Sequence, residues 1–408
     1  MYTLKKYQIF LLFFLIAVTF LVFIPMINAN FSPLDDGRML KVNNKALPDI
    51  SLKSIIIIFK SYNEGLYHPM TTISYTIEKN LFGFVPEIFH FDNILLHISN
   101  IILVFLIFFK LSKSFWLSFI ITSLFAIHPT RAEVVCWVSA RKDLLYTFFY
   151  LLSILLYIKM YDHKKATIYI TLSVIMFLFS CFSKAMAITL PFVLILIDFY
   201  TNNFKKQKIK IYFIYILITF IFIIATIQTH YFTKYHFTEI NNIDFIFNFF
   251  NLTINFINAH FNILFYLEKL ILPINLRCAY PYLYNKSSMP PLYILYSPAI
   301  VYILIYFCFL SLRKTKIFFY GFAFFIITIL PSNNILPIEN FDVANRYTYI
   351  PYLGLFFIFA KIIVYLLNKT RKYTKIPIII FCLIIFITLS YLLYHEVIGW
   401  QLHSFTFK

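Results

Sequence analysis

Two adjacent carboxylates, Asp35 and Asp36, stand in Ser32-Pro33-Leu34-Asp35-Asp36-Gly37-Arg38, just past the first apolar run. Next to a membrane surface such a pair can accept protons or bind a cation, and a solvated loop pair is the plain alternative. A second group, His128-Pro129-Thr130-Arg131-Ala132-Glu133, leads to Trp137, Arg141, Lys142 and Asp143. If 131–143 is one helix, Glu133, Trp137 and Arg141 share a face at i, i+4 and i+8. That face suits an anionic headgroup, although charges snorkelling at a membrane boundary give the same pattern. Lys184 separates two apolar runs of about 16 residues, each reaching about 24 Å at 1.5 Å per residue, against a bilayer core of about 30 Å. The turn Ser183-Lys184 is therefore expected to lie recessed. An ammonium there is costly unless it faces water or an anion, while an ordinary interfacial lysine is the competing reading. Finally, Asn345-Arg346-Tyr347-Thr348-Tyr349 follows Asp342. Its arginine can clamp a phosphate with two parallel hydrogen bonds or simply pair with Asp342.

Other polar residues point away from metal chemistry. His90, Asn93, His97 and Asn100 recur along one apolar segment, a pattern of hydrogen bonding between membrane helices. Cys136, Cys181, Cys278, Cys308 and Cys382 form no CxxC or Cys/His set, so neither a disulfide framework nor a zinc site is expected. No metal and no cofactor are predicted.

The elements that must hold these residues are membrane helices. Of the 408 residues, 61% are hydrophobic and 13% charged, and the mean hydropathy is +0.80. A soluble domain is closer to half apolar and a quarter charged. Candidate spans are 8–27, 91–109, 115–128, 144–158, 167–182, 185–200, 211–228, 293–311, 316–330, 349–367 and 376–395, about eleven in all. The net charge of +18 would suggest nucleic acid in a soluble protein, but here the cations sit in short loops between apolar runs. Six of these, at 1–7, 110–114, 159–166, 201–210, 312–316 and 368–375, hold about half of the 35 Lys and Arg. By the positive-inside rule they are cytoplasmic, which puts the N-terminus inside and the C-terminus outside. The first span reads as a retained anchor rather than a cleaved signal, because its apolar run is long.

The opposite side carries the longer loops, at 28–90, 129–143, 183–184, 229–292 and 331–348, and most of the acids, including Glu64, Glu78, Glu268 and Glu339. Segments 49–60 and 71–82 read as short helices on the membrane surface. In 248–269, Asn248, Asn251, Asn255, Asn258, Asn262, Tyr266 and Lys269 recur at spacings of three and four. They draw a polar stripe on an otherwise apolar helix suited to the interface. A span there would break the inside–outside alternation.

The motifs quoted above, taken in order, resemble the multi-spanning glycosyltransferases of the GT-C class. Within it they are similar to the transmembrane and tetratricopeptide-repeat O-mannosyltransferase-like family and its bacterial relatives. The matching stretches are LDDGRM at 34–39, YHPMTTISY at 67–75, FGFVPEIFHFDNILLHISN at 82–100 and FAIHPTRAEVVCWVSARKDLL at 125–145. SKAMAITLPFVLILIDFY at 183–200 and LPSNNILPIENFDVANRYTYIPYLG at 330–354 complete the series. The resemblance implies Asp35 or Asp36 as the catalytic acid/base and a polyprenyl-phosphate-linked sugar as donor. Arg141, Lys142, Lys184 and Arg346 would stabilise the phosphate as it leaves, with His128, Glu133 and Tyr347 beside them. Two positions depart from the family pattern: Asn345 replaces an acid before Arg346-Tyr347, and His68 replaces an arginine before Pro69. Soluble helical repeats are expected to be missing, since no 34-residue period is visible.

The expected protein is thus an all-α polytopic membrane protein with a GT-C-like fold, residues 1–408 forming one membrane-embedded domain. It would transfer a sugar to a protein, glycan or lipid acceptor on the non-cytoplasmic face, in contact with membrane lipids and without nucleic acid. Composition fits a bacterial plasma (inner) membrane. A surface-polysaccharide polymerase or ligase is the first alternative and predicts dispensable Asp35 and Asp36. A lipid-linked sugar transporter or flippase would instead show internal repeats and polar residues near the midplane. A non-catalytic scaffold leaves the ordered motifs without a reason.

Overall fold

In the computed structural model, residues 4–33, 35–42, 45–61, 67–162, 166–205, 208–237, 249–278, 280, 290–333, 343–371 and 375–402 are described. Glu64, Asn248, Glu339 and Asp342 lie outside this set, as do the side chain of Asn251 and much of 331–348. All eleven apolar stretches are helical. Seven helices among the described residues are long and apolar enough to cross a membrane: Lys6–Asn28, Pro86–Ser112, Ala166–Ser183, Ile209–Thr229, Leu292–Ser311, Tyr352–Lys369 and Lys375–Leu402. Phe115–Ile127, Ala185–Tyr200 and Ile317–Ser332 are apolar but shorter. Arg141–Lys159 carries three charges in its first turn. Length and apolarity therefore establish seven spans and leave the expected eleven open.

In chain order the helices are α1 (Lys6–Phe23), α2 (Asp36–Met39), α3 (Leu52–Lys60), α4 (Pro69–Phe82), α5 (Pro86–Ser112), α6 (Phe115–Ile127), α7 (Arg131–Cys136) and α8 (Arg141–Lys159). They continue with α9 (Ala166–Ser183), α10 (Leu190–Tyr200), α11 (Ile209–Phe237), α12 (Phe249–Ile271), α13 (Ser297–Ser311), α14 (Ile317–Ile329), α15 (Tyr352–Lys369) and α16 (Lys375–Leu402). The extended pieces Lys41–Val42 and Lys45–Ala46 pair antiparallel, Lys41 opposite Ala46.

Helix breaks coincide with the polar motifs. The backbone leaves the helix at His128, at Trp137 and at Lys184, each of which is extended. A short 3-10 turn at Asn345–Thr348 precedes α15. Broken helices strand backbone polar groups, which at membrane depth is tolerable only inside protein. Accordingly every residue from His128 to Arg141 is buried. The break at Trp137 overturns the single helix expected over 131–143. Glu133 and Trp137 still meet the same partner, but Arg141, past the break, turns elsewhere.

The first loop is pinned by a small apolar cluster of Met39, Leu40, Leu47, Ile58, Tyr75, Phe89 and Val138, separate from the main core. Tyr75 on α4 donates to the Val138 carbonyl at 2.7 Å. Pro69 opens α4, and Gly83, at a left-handed φ of 77°, closes it. Helix α3 exposes Leu52, Ile56 and Ile57 while burying Ile58, as a helix lying in the interface requires. On α12 the polar stripe faces inward: Asn262, Tyr266 and Lys269 are buried while Phe256 and Ile271 are exposed. Helices α14 and α15 cross at Gly321 and Gly354. A Cβ on Gly321 would lie 2.4 Å from the Gly354 carbonyl, so only small residues allow this approach.

Candidate active site

Asp35 and Asp36 enter α2 in different states. Asp36 is fully buried. One oxygen accepts from the Ser32 amide at 2.7 Å, and the other accepts from the Ser139 amide at 2.9 Å and from the Ser139 hydroxyl. Burial raises its pKa, against the hydrogen bonds from Ser139 and Ser32 that favour the anion. Asp35 is half-buried and stands at the N-cap of α2 without using its side chain as a cap. Among the described residues its carboxylate accepts no hydrogen bond. Asp36 thus ties the first loop to the link between α7 and α8, and Asp35 keeps its acceptor capacity unspent.

Two buried ion pairs flank one tyrosine. Arg346 donates to Glu133 Oε1 at 2.6 Å, and the Arg346 amide reaches Glu133 Oε2 at 3.1 Å. The guanidinium lies over Trp137 and Tyr347, 5.5 and 4.8 Å from the ring centres. On the other side, Lys184 donates to Asp143 at 2.8 Å and sits 5.3 Å from the centre of the Tyr347 ring. Burial raises the pKa of Glu133, with Arg346 opposing. Only one of the three donors of Lys184 is spent on Asp143, and its side chain is 11% exposed. The turn at Ser183 is roofed by α4, where Thr71 donates to the Ser183 carbonyl at 3.3 Å.

Cys278 links the acids to this pair. It feels Glu133, Arg346, Asp35 and Asp36 electrostatically, and burial pushes its thiol up to about 12. The neighbouring chain is docked on Asn345, which donates to the Arg277 carbonyl at 3.0 Å and accepts from Tyr280 at 3.0 Å. Asp35, Asp36, Glu133, Arg346 and the residues Arg277, Cys278 and Tyr280 therefore share one end of the bundle, with Lys184 and Tyr347 adjoining.

The remaining predicted residues are placed differently. Arg141 is fully buried and donates to Asn93 at 2.8 Å, to the Phe89 carbonyl at 2.7 Å and to Glu78. Its guanidinium holds α4, α5 and α8 together. Lys142 follows it, half-buried, on the first turn of α8. His128 bonds to Thr130 at 2.9 Å and to the Leu270 carbonyl at 3.2 Å, which anchors the end of α12. The α5 residues bond between helices: Asn93 to the Trp137 carbonyl, His97 to Tyr349 and Asn100 to the Leu144 carbonyl. Among the described residues no three His, Cys, Asp or Glu side chains are grouped as metal ligands. The motif reading missed Ser139, Cys278 and Tyr280, single polar residues with no spacing signal. It also gave no role to Arg131, which is enclosed by Phe125, Tyr349, Tyr352 and Phe356.

Comparison with known proteins agrees with the resemblance. No family model matches the chain. It is similar to a protein O-mannosyl-transferase of Caenorhabditis elegans, 25% identical over 308 residues, which cover 73% of this chain and 42% of that protein. A human protein O-mannosyl-transferase is 31% identical over 134 residues, 31% of this chain and 16% of that one. The chain thus spans less than half the length of these curated relatives. Among solved structures, an Archaeoglobus fulgidus oligosaccharyltransferase, crystallised with a tethered acceptor peptide, aligns with a TM-score of 0.51 and 11% identity. The alignment covers 98% of this chain and 56% of that one. That likeness is one of fold, and the all-helical polytopic fold is GT-C-like.

Proposed function

We propose that this protein is a membrane glycosyltransferase that moves a sugar from a polyprenyl-phosphate carrier to an acceptor hydroxyl on the non-cytoplasmic face. Residues 1–408 would act as one membrane-embedded catalytic unit. The observation that carries this reading is the unspent carboxylate of Asp35 at the same end of the bundle as the paired cations Arg346 and Lys184. The names of its sequence relatives support mannose as the sugar and a protein hydroxyl as the acceptor. The basic loops at 201–210 and 312–316 support placing the site end outside, with the N-terminus cytoplasmic and a bacterial plasma membrane as the setting.

In this mechanism the acceptor oxygen attacks the anomeric carbon, the bond from that carbon to the phosphate oxygen breaks, and Asp35 takes the hydroxyl proton. The lipid phosphate leaves carrying the bonding pair. Lys184, with donors to spare, meets that charge, and Arg346, held by Glu133, adds its field. Asp36 acts through Ser139 and Ser32 by fixing the loop that presents Asp35. Arg141 and His128 hold the scaffold rather than the substrate.

The test is mannosyl transfer by purified protein in proteoliposomes, from polyprenyl-phosphate mannose to a Ser/Thr peptide. Wild type should transfer and Asp35→Asn should not, at equal folding. Wild-type transfer that survives Asp35→Asn would overturn the catalytic assignment and favour the polymerase or ligase reading.

A further inference from the structure

Helix α16 is almost entirely apolar, yet Glu396 lies near its end at the candidate site. Leu393, Glu396, Val397 and Trp400 fall at i, i+3, i+4 and i+7 and share a face. Leu393 and Val397 are completely buried, and the helix packs there on α7 and on Ile24–Asn28. Trp400 stacks on Trp137 with ring centres 6.2 Å apart, and Trp137 is the ring beneath Arg346. Glu396 is half-buried and within electrostatic reach of Cys136 and Tyr280. Tyr280 in turn holds Asn345, the neighbour of Arg346. Among the described residues Glu396 makes neither an ion pair nor a hydrogen bond. An ionisable side chain left unpaired in a membrane helix is costly to keep, which marks it as a functional candidate.

A carboxyl group left without a partner on an apolar helix calls for a hydrogen-bonding ligand. It offers the phosphate of a lipid-linked donor no cation, and Lys184 is better placed to meet that charge. We propose that Glu396 binds the acceptor: its carboxylate accepts a hydrogen bond from the acceptor chain, and Trp400 on Trp137 forms the aromatic wall beside it. This inference rests on the transfer reading above for its substrate, and it adds the last helix to the site.

The experiment uses the full chain in proteoliposomes, with polyprenyl-phosphate mannose and a synthetic Ser/Thr peptide each titrated. For Glu396→Gln the KM for peptide should rise about tenfold, with the KM for the donor and the saturated kcat unchanged; Glu396→Asp should restore part of the loss. Trp400→Ala should raise the peptide KM in the same direction, which keeps the test open if Glu396→Gln folds poorly. Binding is read independently of transfer. The chain has 3 Trp, so a Trp116→Phe background leaves the stacked pair as the emitters. Peptide alone should shift their emission, with about tenfold weaker affinity in Glu396→Gln. If peptide shifts the emission but no sugar moves, the transfer reading fails while this one stands. A change in donor KM alone, an unchanged peptide KM, or no wild-type response to peptide would overturn it.

Discussion

Asp198 and Asp35 are acids at two ends of the same bundle, and they are used in opposite ways. Asp198, near the end of α10, is fully buried and accepts from Tyr157 at 2.7 Å, from Lys208 at 2.9 Å, and from Tyr161 and Tyr212. Its donors come from α8, the turn after it, α11 and the residue just before α11. Lys184, which precedes α10, lies 14 residues earlier, a separation of about 20 Å along a helix. Among the described residues Lys184 spends one donor on Asp143, and the Asp35 carboxylate accepts no hydrogen bond. A saturated carboxylate buried at a helix junction does structural work, because every lone pair is already committed. The unsaturated one is the group able to bind something that arrives later.

The widest expected effects break that contrast. Asp35→Asn should reduce sugar transfer by about 10²- to 10⁴-fold, the usual contribution of a positioned base, with no change in melting temperature. Asp198→Ala should do the reverse. Leaving the buried Tyr157 and Tyr212 hydroxyls without their acceptor costs about 1–3 kcal/mol for each unsatisfied donor, so thermal stability in detergent should fall while transfer per folded molecule stays the same. Equal activity loss per folded molecule at both sites would end the distinction.

Asp36→Asn falls between these extremes and sharpens the division of labour inside the first loop. Both Asp36 oxygens accept from N–H groups, and an amide can offer only one oxygen while turning its own N–H₂ toward another donor. Leaving one buried donor unsatisfied costs about 1–3 kcal/mol. The expected result is lower stability with residual transfer clearly above that of Asp35→Asn. Ser139→Ala should weaken stability in the same direction.

A pH effect concerns Glu78. Burial pushes its pKa up to about 8, with Arg141 opposing and Asp92 reinforcing the shift, from an ordinary 4.5. The folded protein then holds a proton that the unfolded chain releases, so stability is present below about 4.5 and declines as pH rises toward about 8. Melting temperature measured across that window should fall in wild type, and Glu78→Gln should flatten the slope. A rising slope would mean that Arg141 keeps Glu78 ionised. The smallest change expected is for Tyr161→Phe, which removes one of four donor residues from Asp198 and should cost about 1.5 kcal/mol without altering transfer.

Much of this architecture was legible in the chain because lipid imposes simple rules. Apolar runs of sufficient length become helices, and the breaks fall at the polar motifs, His128-Pro129 and Ser183-Lys184 among them. The candidate residues Glu133, Lys184 and Arg346 could be picked out for the same reason: charge in an apolar chain is rare and conspicuous. Their partners were harder to read. Arg346 could be read as a phosphate clamp or as the partner of Asp342, which lies outside the described residues; that it also pairs with Glu133, more than two hundred residues distant, could not be read. Arg141 was grouped with Glu133 by helical spacing, and the extended backbone at Trp137 sends it to Glu78 and Asn93 instead.

By itself the sequence determined a polytopic helical protein, the side rich in acids and the short set of polar residues from which a site could be made. Tertiary structure alone decided which of those residues are spent and which remain available. It buried Asp36 against Ser139, committed Arg141 to three neighbours, left Asp35 open and brought Glu396 to the same end of the bundle. The physical reason is that hydropathy is a property of each residue in turn, whereas hydrogen-bond saturation depends on partners the chain supplies from far away.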